Sequence, residues 1–138
     1  MAERLFIKNL EEHQEDLSNW QVSSAGTWAE NGIPPDEKLI STMEAFGIDI
    51  RDHHSRLVDA SIMADNDLII VMENNHLEAL KFEFPKKKNN IFLLSEMIGK
   101  NFDIPDPFSK DLKMYFHVAK QIDDLLTQGY SDILKLAN

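Results

Sequence analysis

Apolar side chains recur at helical spacing in several stretches of the chain, and this pattern predicts its helices. In the first stretch, residues 2–17, Leu5, Phe6 and Leu10 share one face while acidic side chains occupy the other. The last stretch, residues 111–137, predicts a long helix that is bent or interrupted at Gly129. Two further helices are predicted over residues 35–46 and 75–82, with a short helical turn over residues 59–64.

Short apolar runs between these helices predict strands. Residues 67–72 predict a strand, because the residues that follow Asp67 form an unbroken apolar run, which is typical of a strand buried on both faces of a parallel sheet. Residues 20–24 and 91–94 predict two more strands. Alternating strands and helices predict an α/β fold whose parallel sheet is covered on both faces and binds ligands at the carboxyl ends of its strands. We therefore expect residues 24–28 and 103–108 to lie at the same edge, with whatever follows Met72.

Composition narrows the class of protein and its partners. With 138 residues and 43% hydrophobic side chains, the chain predicts one domain, residues 1–138. Its formal charge of −10 repels phosphate backbones and anionic membrane surfaces, so neither nucleic acid nor a membrane is an expected partner. No apolar run has the length of a membrane span and the N-terminus lacks a signal pattern, so we expect a cytoplasmic protein.

The chain contains no cysteine. Disulfides, thiolate metal sites and thiol nucleophiles are therefore excluded within these residues. No pair of histidines or cluster of carboxylates has the spacing of a metal site, and we expect neither a metal nor another cofactor.

The most informative loop is the proline-rich segment at residues 103–108. Asp106 lies between Pro105 and Pro107, and both prolines restrict the backbone, so the loop is stiff and holds its carboxylate in one direction. Such a carboxylate suits a positioned proton donor. The alternative is an Asp-Pro turn with a purely structural role, and the loop by itself favours that alternative.

Seven fragments, taken together, resemble the low-molecular-weight protein tyrosine phosphatase family, which includes bacterial protein arginine phosphatases and, more distantly, arsenate reductases. They are Met1-Ala2-Glu3, Ser24-Ala25-Gly26-Thr27, Pro35-Asp36, Gly47-Ile48-Asp49-Ile50, His53 with Ser55-Arg56, residues 67–72 and residues 103–108. They occur in the family's order and at its spacing, along essentially the whole chain. The resemblance implies a three-layer α/β/α fold with a parallel sheet of strand order 2-1-3-4.

This sequence departs from the family at its start. The family's phosphate loop, C-x-x-x-x-x-R, follows its first strand and is followed by Ser-Pro-Met-Ala-Glu, whereas this sequence begins at Met-Ala-Glu. Relative to the family, strand 1, the nucleophilic cysteine and the loop arginine are thus missing, and we expect an N-terminally truncated domain. Without strand 1, either its neighbouring strands close on each other or another chain fills the slot, for instance in a homodimer.

The resemblance also assigns roles to individual residues. Asp106 becomes the general acid, and Trp28 and Phe108 become walls of the substrate cleft. Ser24 and His53 correspond to positions that support the phosphate loop by hydrogen bonds. The alternatives are a turn serine at Ser24, a surface histidine at His53 and a tryptophan at position 28 that covers the edge of the core.

Three functional hypotheses follow. In the first, the natural protein is a phosphatase acting on a phosphorylated protein or a small phosphate ester, and this sequence is a shortened form of it that is inactive alone. In the second, the chain is a pseudophosphatase that acts as a binding or regulatory module. In the third, it is another doubly wound domain, such as a receiver or flavodoxin-like module. Phosphotyrosine, phosphoarginine and arsenate substrates are not separated by the sequence, although the absence of cysteine gives no support to the arsenate branch.

Overall fold

The computed structural model describes every residue from Met1 to Asn138. Its α-helices are α1 (Ala2–Glu12), α2 (Glu37–Ala45), α3 (Ala60–Asp65), α4 (Asn74–Glu83), α5 (Leu112–Gln128) and α6 (Tyr130–Ala137). Its strands are β1 (Ile69–Val71) and β2 (Ile91–Leu93), and short 3-10 helices span Leu17–Asn19, Pro85–Asn90 and Leu94–Ile98. None of the helices combines the length and apolar character that crossing a membrane requires.

The contacts divide the chain into two units, which we describe separately. The first unit comprises Met1–Leu57 and Asp106–Asp123, and the second comprises Val58–Pro105 and Asp124–Asn138. The prediction of one domain over residues 1–138 stays a prediction.

In the first unit, α1 buries the apolar face that its sequence predicts. Leu5 and Leu10 are fully buried, and the ring of Phe6 meets that of Trp20 edge to face, with centroids 5.8 Å apart. The helix ends at Glu12, five residues before the predicted end. Gln14 adopts a positive φ of 58°, which a continuing helix does not permit, so the apolar Leu17 belongs to a separate turn.

The strand predicted over residues 20–24 is absent as a paired strand. One parallel bridge, between Gly26 and Leu57, is the nearest approach to a ladder in this segment. The carbonyl of Ser24 accepts a hydrogen bond from the side chain of Arg56 rather than from a neighbouring strand. The prediction was wrong here because apolar and polar alternation describes an extended chain but does not supply the partner that makes a strand.

The second unit contains the parallel sheet. β1 and β2 are adjacent and in register, with Ile69 opposite Ile91 and Val71 opposite Leu93, as the predicted order requires for its last two strands. Side chains of β2 and of the neighbouring helices form one buried apolar cluster, which consists of Met63, Leu77, Leu80, Ile91 and Leu93. The lysine-rich segment between α4 and β2 forms the 3-10 helix Pro85–Asn90.

The predicted interruption of the last helix is confirmed at Gly129, where α5 gives way to α6. A Cβ atom placed on Gly129 would lie only 2.5 Å from Cβ of Met97 and 3.0 Å from the carbonyl oxygen of Leu125. Glycine is therefore required here by close packing within the second unit, in addition to its effect on the helix.

Candidate functional site

Glu3 lies against polar side chains from two distant segments of the first unit. It lies in the first turn of α1, where the helix dipole favours a negative charge. Its carboxylate accepts a hydrogen bond from the hydroxyl of Ser24, and its Oε2 lies 3.9 Å from Nδ1 of His53. The Glu3 side chain is only 14% exposed, so these neighbours replace much of the water that a carboxylate normally binds. The structure thus brings the two predicted support residues, Ser24 and His53, onto one carboxylate.

The environment of His53 favours its neutral form. Burial is the largest influence and lowers the pKa of its imidazole, while Glu3 acts in the opposite direction. The Met1 α-amino group and Arg4 also lower this pKa, and Asp52 raises it. At neutral pH His53 therefore faces Glu3 mainly as an uncharged ring, which can exchange a proton over a narrow pH range.

The segment around Arg56 fixes the backbone that leads to Trp28. Nε of Arg56 donates to the Ser24 carbonyl at 2.8 Å, and the Arg56 carbonyl accepts from the Gly26 amide at 2.9 Å. Ser55 pairs by its backbone with the far end of the same loop, accepting from the Gly32 amide at 2.8 Å. Both ends of the loop that carries Trp28 are therefore anchored to one short stretch of chain.

Trp28 and Phe108 present large apolar rings to solvent. Trp28 is 93% exposed and Phe108 is 68% exposed. Exposure of this degree excludes the alternative that Trp28 covers the edge of the core. Aromatic rings that are held by anchored loops and left uncovered are common features of binding surfaces.

Asp106 lies in a tight turn of the first unit. Its Oδ1 accepts a hydrogen bond from the Phe108 amide at 2.9 Å, and the Lys110 amide donates to the Pro107 carbonyl at 2.9 Å. We refer to residues 106–110 as the acid turn. Asp106 itself is exposed, so its carboxylate is accessible to a ligand while its direction is set by the turn. These contacts fit both the proton donor and the structural turn that the sequence left open.

Preceding the acid turn, Asp103 belongs to the second unit. Its Oδ1 accepts from the Asn74 amide at 2.8 Å, at the N-terminus of α4. The next residue, Ile104, donates its amide to the carbonyl of Met72 at 2.8 Å, directly after β1. The expectation that residues 103–108 begin beside the segment that follows Met72 is thus confirmed for Asp103 and Ile104.

Sequence reasoning overlooked the residues that connect these parts. Glu3 was one letter of a matching fragment, and Tyr115 counted only as an apolar position of the last helix. Tyr115 is 3% exposed, and its hydroxyl donates to Oδ2 of Asp36 at 2.8 Å. A buried tyrosine needs a partner for its hydroxyl, and this rule was the one available signal for such a contact.

Comparison with known proteins identifies the class. The sequence profile described as low molecular weight phosphotyrosine protein phosphatase matches residues 1–136. A probable low-molecular-weight protein-tyrosine-phosphatase, EpsP of Ralstonia nicotianae, is 32% identical over 109 residues, which cover 79% of this chain and 74% of that protein. The protein-arginine-phosphatase of Bacillus subtilis is 28% identical over 129 residues, covering 93% of this chain and 83% of that protein.

Solved structures agree with the sequence comparison. The low-molecular-weight protein tyrosine phosphatase of T. tengcongensis superposes with a TM-score of 0.87 at 26% identity, covering 95% of this chain and 88% of that one. The fold and these matches define a hydrolase-type α/β domain. The chain belongs to the low-molecular-weight phosphotyrosine protein phosphatase family. The predicted three-layer α/β/α class with a parallel sheet is confirmed by this likeness.

Proposed function

We propose that the chain is a phosphatase-type domain in which Asp106 acts as the general acid and Trp28 and Phe108 contact the substrate. The observation that carries this proposal is the family match over residues 1–136. The acid role of Asp106 is proposed from its place between Pro105 and Pro107, where the sequence resembles the acid loop of the family. Ser24 and His53, which both contact Glu3, are proposed as the residues that support the phosphate loop of the family. The exposed carboxylate of Asp106 and the two exposed rings support these roles.

The chemistry implied by the family requires two side chains, a nucleophilic cysteine and an aspartic acid. A cysteine thiolate attacks phosphorus, forming the S–P bond as the P–O bond to the leaving group breaks. The leaving oxygen then takes its proton from the aspartic acid, here Asp106, which requires that acid to be protonated when the substrate binds. General acid catalysis typically contributes about 10²–10⁴-fold, but it multiplies a nucleophilic step. Because these 138 residues include no cysteine, we propose that they have no phosphatase activity by themselves.

The proposed substrate class is a phosphorylated protein. The two relatives described above are named for phosphotyrosine and phosphoarginine chemistry, respectively. Both phosphoryl groups project on long side chains from a peptide, and the exposed rings of Trp28 and Phe108 could flank such a side chain. Parallel binding measurements with a phosphotyrosine peptide and a phosphoarginine peptide would separate these two substrates.

Hydrolysis of p-nitrophenyl phosphate by the purified chain tests the proposed inactivity. We expect no release of p-nitrophenol above a protein-free blank, for the chain itself and for its Asp106→Asn variant. Turnover that disappears in Asp106→Asn would disprove the inactivity and support the acid role. Turnover that survives this substitution unchanged would contradict both.

A second candidate function is that of a pseudophosphatase, a module that binds a phosphorylated partner without cleaving it. The exposure of Trp28 and Phe108 favours it, because binding requires the apolar walls and not the nucleophile. Isothermal titration with a phosphotyrosine peptide tests this function, and we expect binding that Trp28→Ala weakens. Phe82 is 91% exposed and lies on α4, so Phe82→Ala is a matched control that should leave binding unchanged.

Homodimerisation and a cytoplasmic location also stay proposals. In the sheet, β1 pairs with a strand on one edge only, and that strand is β2. The other edge of β1 has no strand partner, and we propose that it pairs with a second copy of the chain. Sedimentation equilibrium should show a dimer at micromolar concentration. A compact monomer over the same range would argue against strand pairing between copies.

A further inference from the structure

The hydroxyl of Tyr115 connects the acid turn to the start of α2. The hydroxyl donates to Oδ2 of Asp36 at 2.8 Å, and the backbone of Ser109 lies close enough to the same phenolic oxygen to lower the pKa of Tyr115 slightly. Asp36 is the N-cap residue of α2, and Ser109 lies inside the acid turn, two residues before Asp111. One buried oxygen therefore joins two segments more than 70 residues apart in sequence.

Asp36 can serve both segments because its two carboxylate oxygens have separate tasks. Oδ1 accepts from the Leu39 amide at 2.8 Å, which is the usual contact of an N-cap side chain. Oδ2 is then left to accept from Tyr115. Capping α2 thus fixes the position of the Asp36 carboxylate. Because this acceptor is fixed, its hydrogen bond fixes the orientation of the Tyr115 hydroxyl.

The acid turn is a segment that needs external support. Ser109 has φ of +63°, a left-handed conformation that is uncommon for a residue other than glycine. A second contact from α2 reaches the same turn, since Nζ of Lys38 donates to the Lys110 carbonyl at 2.6 Å. Two side chains at the start of α2, Asp36 through Tyr115 and Lys38 directly, therefore support a short turn whose own backbone conformation is unfavourable.

We propose that Tyr115 and Asp36 are positioning residues that hold the acid turn, and with it the Asp106 carboxylate, in its present orientation. This inference rests on the proposed role of Asp106 as the general acid. The hydroxyl of Tyr115 holds the start of α2 through Asp36, and Lys38 of that helix start binds the Lys110 carbonyl of the acid turn. Within the same turn, the Phe108 amide binds Asp106. Neither positioning residue is required to touch the substrate.

The protonation of Tyr115 is consistent with this function. Burial, the hydrogen bond to Asp36 and the negative charges of Asp36 and Asp106 raise the pKa of Tyr115 to about 12, against a small opposing effect of the Ser109 backbone. The phenol consequently stays protonated and continues to donate to Asp36 at every pH at which a phosphatase would act.

Amide exchange measured by NMR in the ¹⁵N-labelled chain tests the proposal without requiring activity. In Tyr115→Phe, the amides of Ser109 and Phe108 should exchange with solvent roughly 5- to 10-fold faster, because the turn loses the support of a part-buried hydrogen bond. The Leu39 amide should keep its rate, because Asp36 still caps α2. Tyr130→Phe, which removes the hydroxyl of the other tyrosine, should leave Ser109 unaffected.

The outcomes separate positioning from general stability. Equal acceleration at Ser109, Leu39 and Ile133 would mean that Tyr115 only stabilises the fold, and an unchanged Ser109 rate would remove the proposed link; either result overturns the proposal. If Tyr115→Phe does not fold, Asp36→Asn decides, since asparagine can still cap α2 but offers Tyr115 no carboxylate. Faster exchange at Ser109 in Asp36→Asn supports the proposal, and an unchanged rate refutes it. Because the exchange rates do not depend on turnover, they can refute this positioning role while leaving the proposed acid role of Asp106 undecided.

Discussion

Glu3, Ser24 and His53 form a polar cluster in the first unit, and replacing Glu3 with glutamine perturbs this cluster at its centre. Glutamine keeps an oxygen that the Ser24 hydroxyl can bind, so the hydrogen bond changes from charge-assisted to neutral while the shape stays nearly the same. Hydrogen bonds to charged groups contribute about 1.5–3 kcal/mol and neutral ones about 0.5–1.5 kcal/mol, which gives a difference of about 1 kcal/mol. The lost interaction with the helix dipole adds about 0.3–1 kcal/mol. The ion pair with Arg4, at 3.6 Å, is partly exposed and adds little.

We therefore expect Glu3→Gln to lower the free energy of unfolding by about 1–2 kcal/mol at pH 7. Urea denaturation measures this as a lower midpoint with an unchanged m-value. Glu11→Gln is the matched control, since Glu11 lies on the same helix and is exposed, and its effect should stay within about 0.5 kcal/mol.

The same variant should also move the titration of His53. Glu3 raises the pKa of His53 against the larger effect of burial, so its removal should lower that pKa further. The midpoint can be followed by the ring proton signals of His53 in NMR. An unchanged or higher midpoint in Glu3→Gln, or a loss of stability no greater than that of Glu11→Gln, would refute the placement of Glu3 at the centre of the cluster.

Three further changes test other contacts. Gly129→Ala places a methyl group against Met97 and should lower the free energy of unfolding by about 1–3 kcal/mol. Ser95→Ala removes a buried hydroxyl that donates to the Phe102 carbonyl and accepts from its amide, at a cost of about 1–3 kcal/mol in urea denaturation. Because His53 titrates lower in the folded chain, its contribution is complete above pH 6.5 and is lost as the pH falls; the native chain should lose more stability on acidification than His53→Gln.

Each of these outcomes has a clear opposite. Alanine at position 129 with native stability would mean that α5 and α6 adjust freely around Met97. Ser95→Ala with native stability would mean that water reaches the Phe102 backbone. A parallel loss of stability in His53→Gln and the native chain, from pH 7.5 to pH 5, would assign the acid sensitivity to the carboxylates.

Much of the fold was predictable because it depends on local patterns. Apolar spacing located the helices to within a few residues, and the glycine at position 129 correctly marked the break between α5 and α6. The aliphatic runs located β1 and β2 for the same reason. The segment 20–24 was mispredicted because a strand is defined by its partner, and no local pattern encodes the side chain of Arg56 that occupies the Ser24 carbonyl instead.

The candidate site was predictable only in part, for a related physical reason. Ser24, His53, Trp28, Phe108 and Asp106 could be proposed from a family pattern, because each occupies a characteristic place in it. Asp106 is held locally by the Phe108 amide, but the long-range contacts of the site join residues separated by 21 to 79 positions, from Glu3 with Ser24 to Asp36 with Tyr115. Such pairs are set by packing, and a single sequence contains no direct record of them.

Two overlooked carboxylates, Glu3 and Asp36, hold parts of the candidate site but have no role in its proposed chemistry. Glu3 and Asp36 each lie at the start of a helix, and each accepts a hydrogen bond from a hydroxyl of a distant segment. A negative charge at a helix start is favoured by the helix itself, so both acceptors are stable whether or not a phosphate is bound. Ser24 and the acid turn are thereby held without any contribution from a nucleophile. The proposed lack of activity is therefore compatible with the proposed binding of a phosphorylated partner.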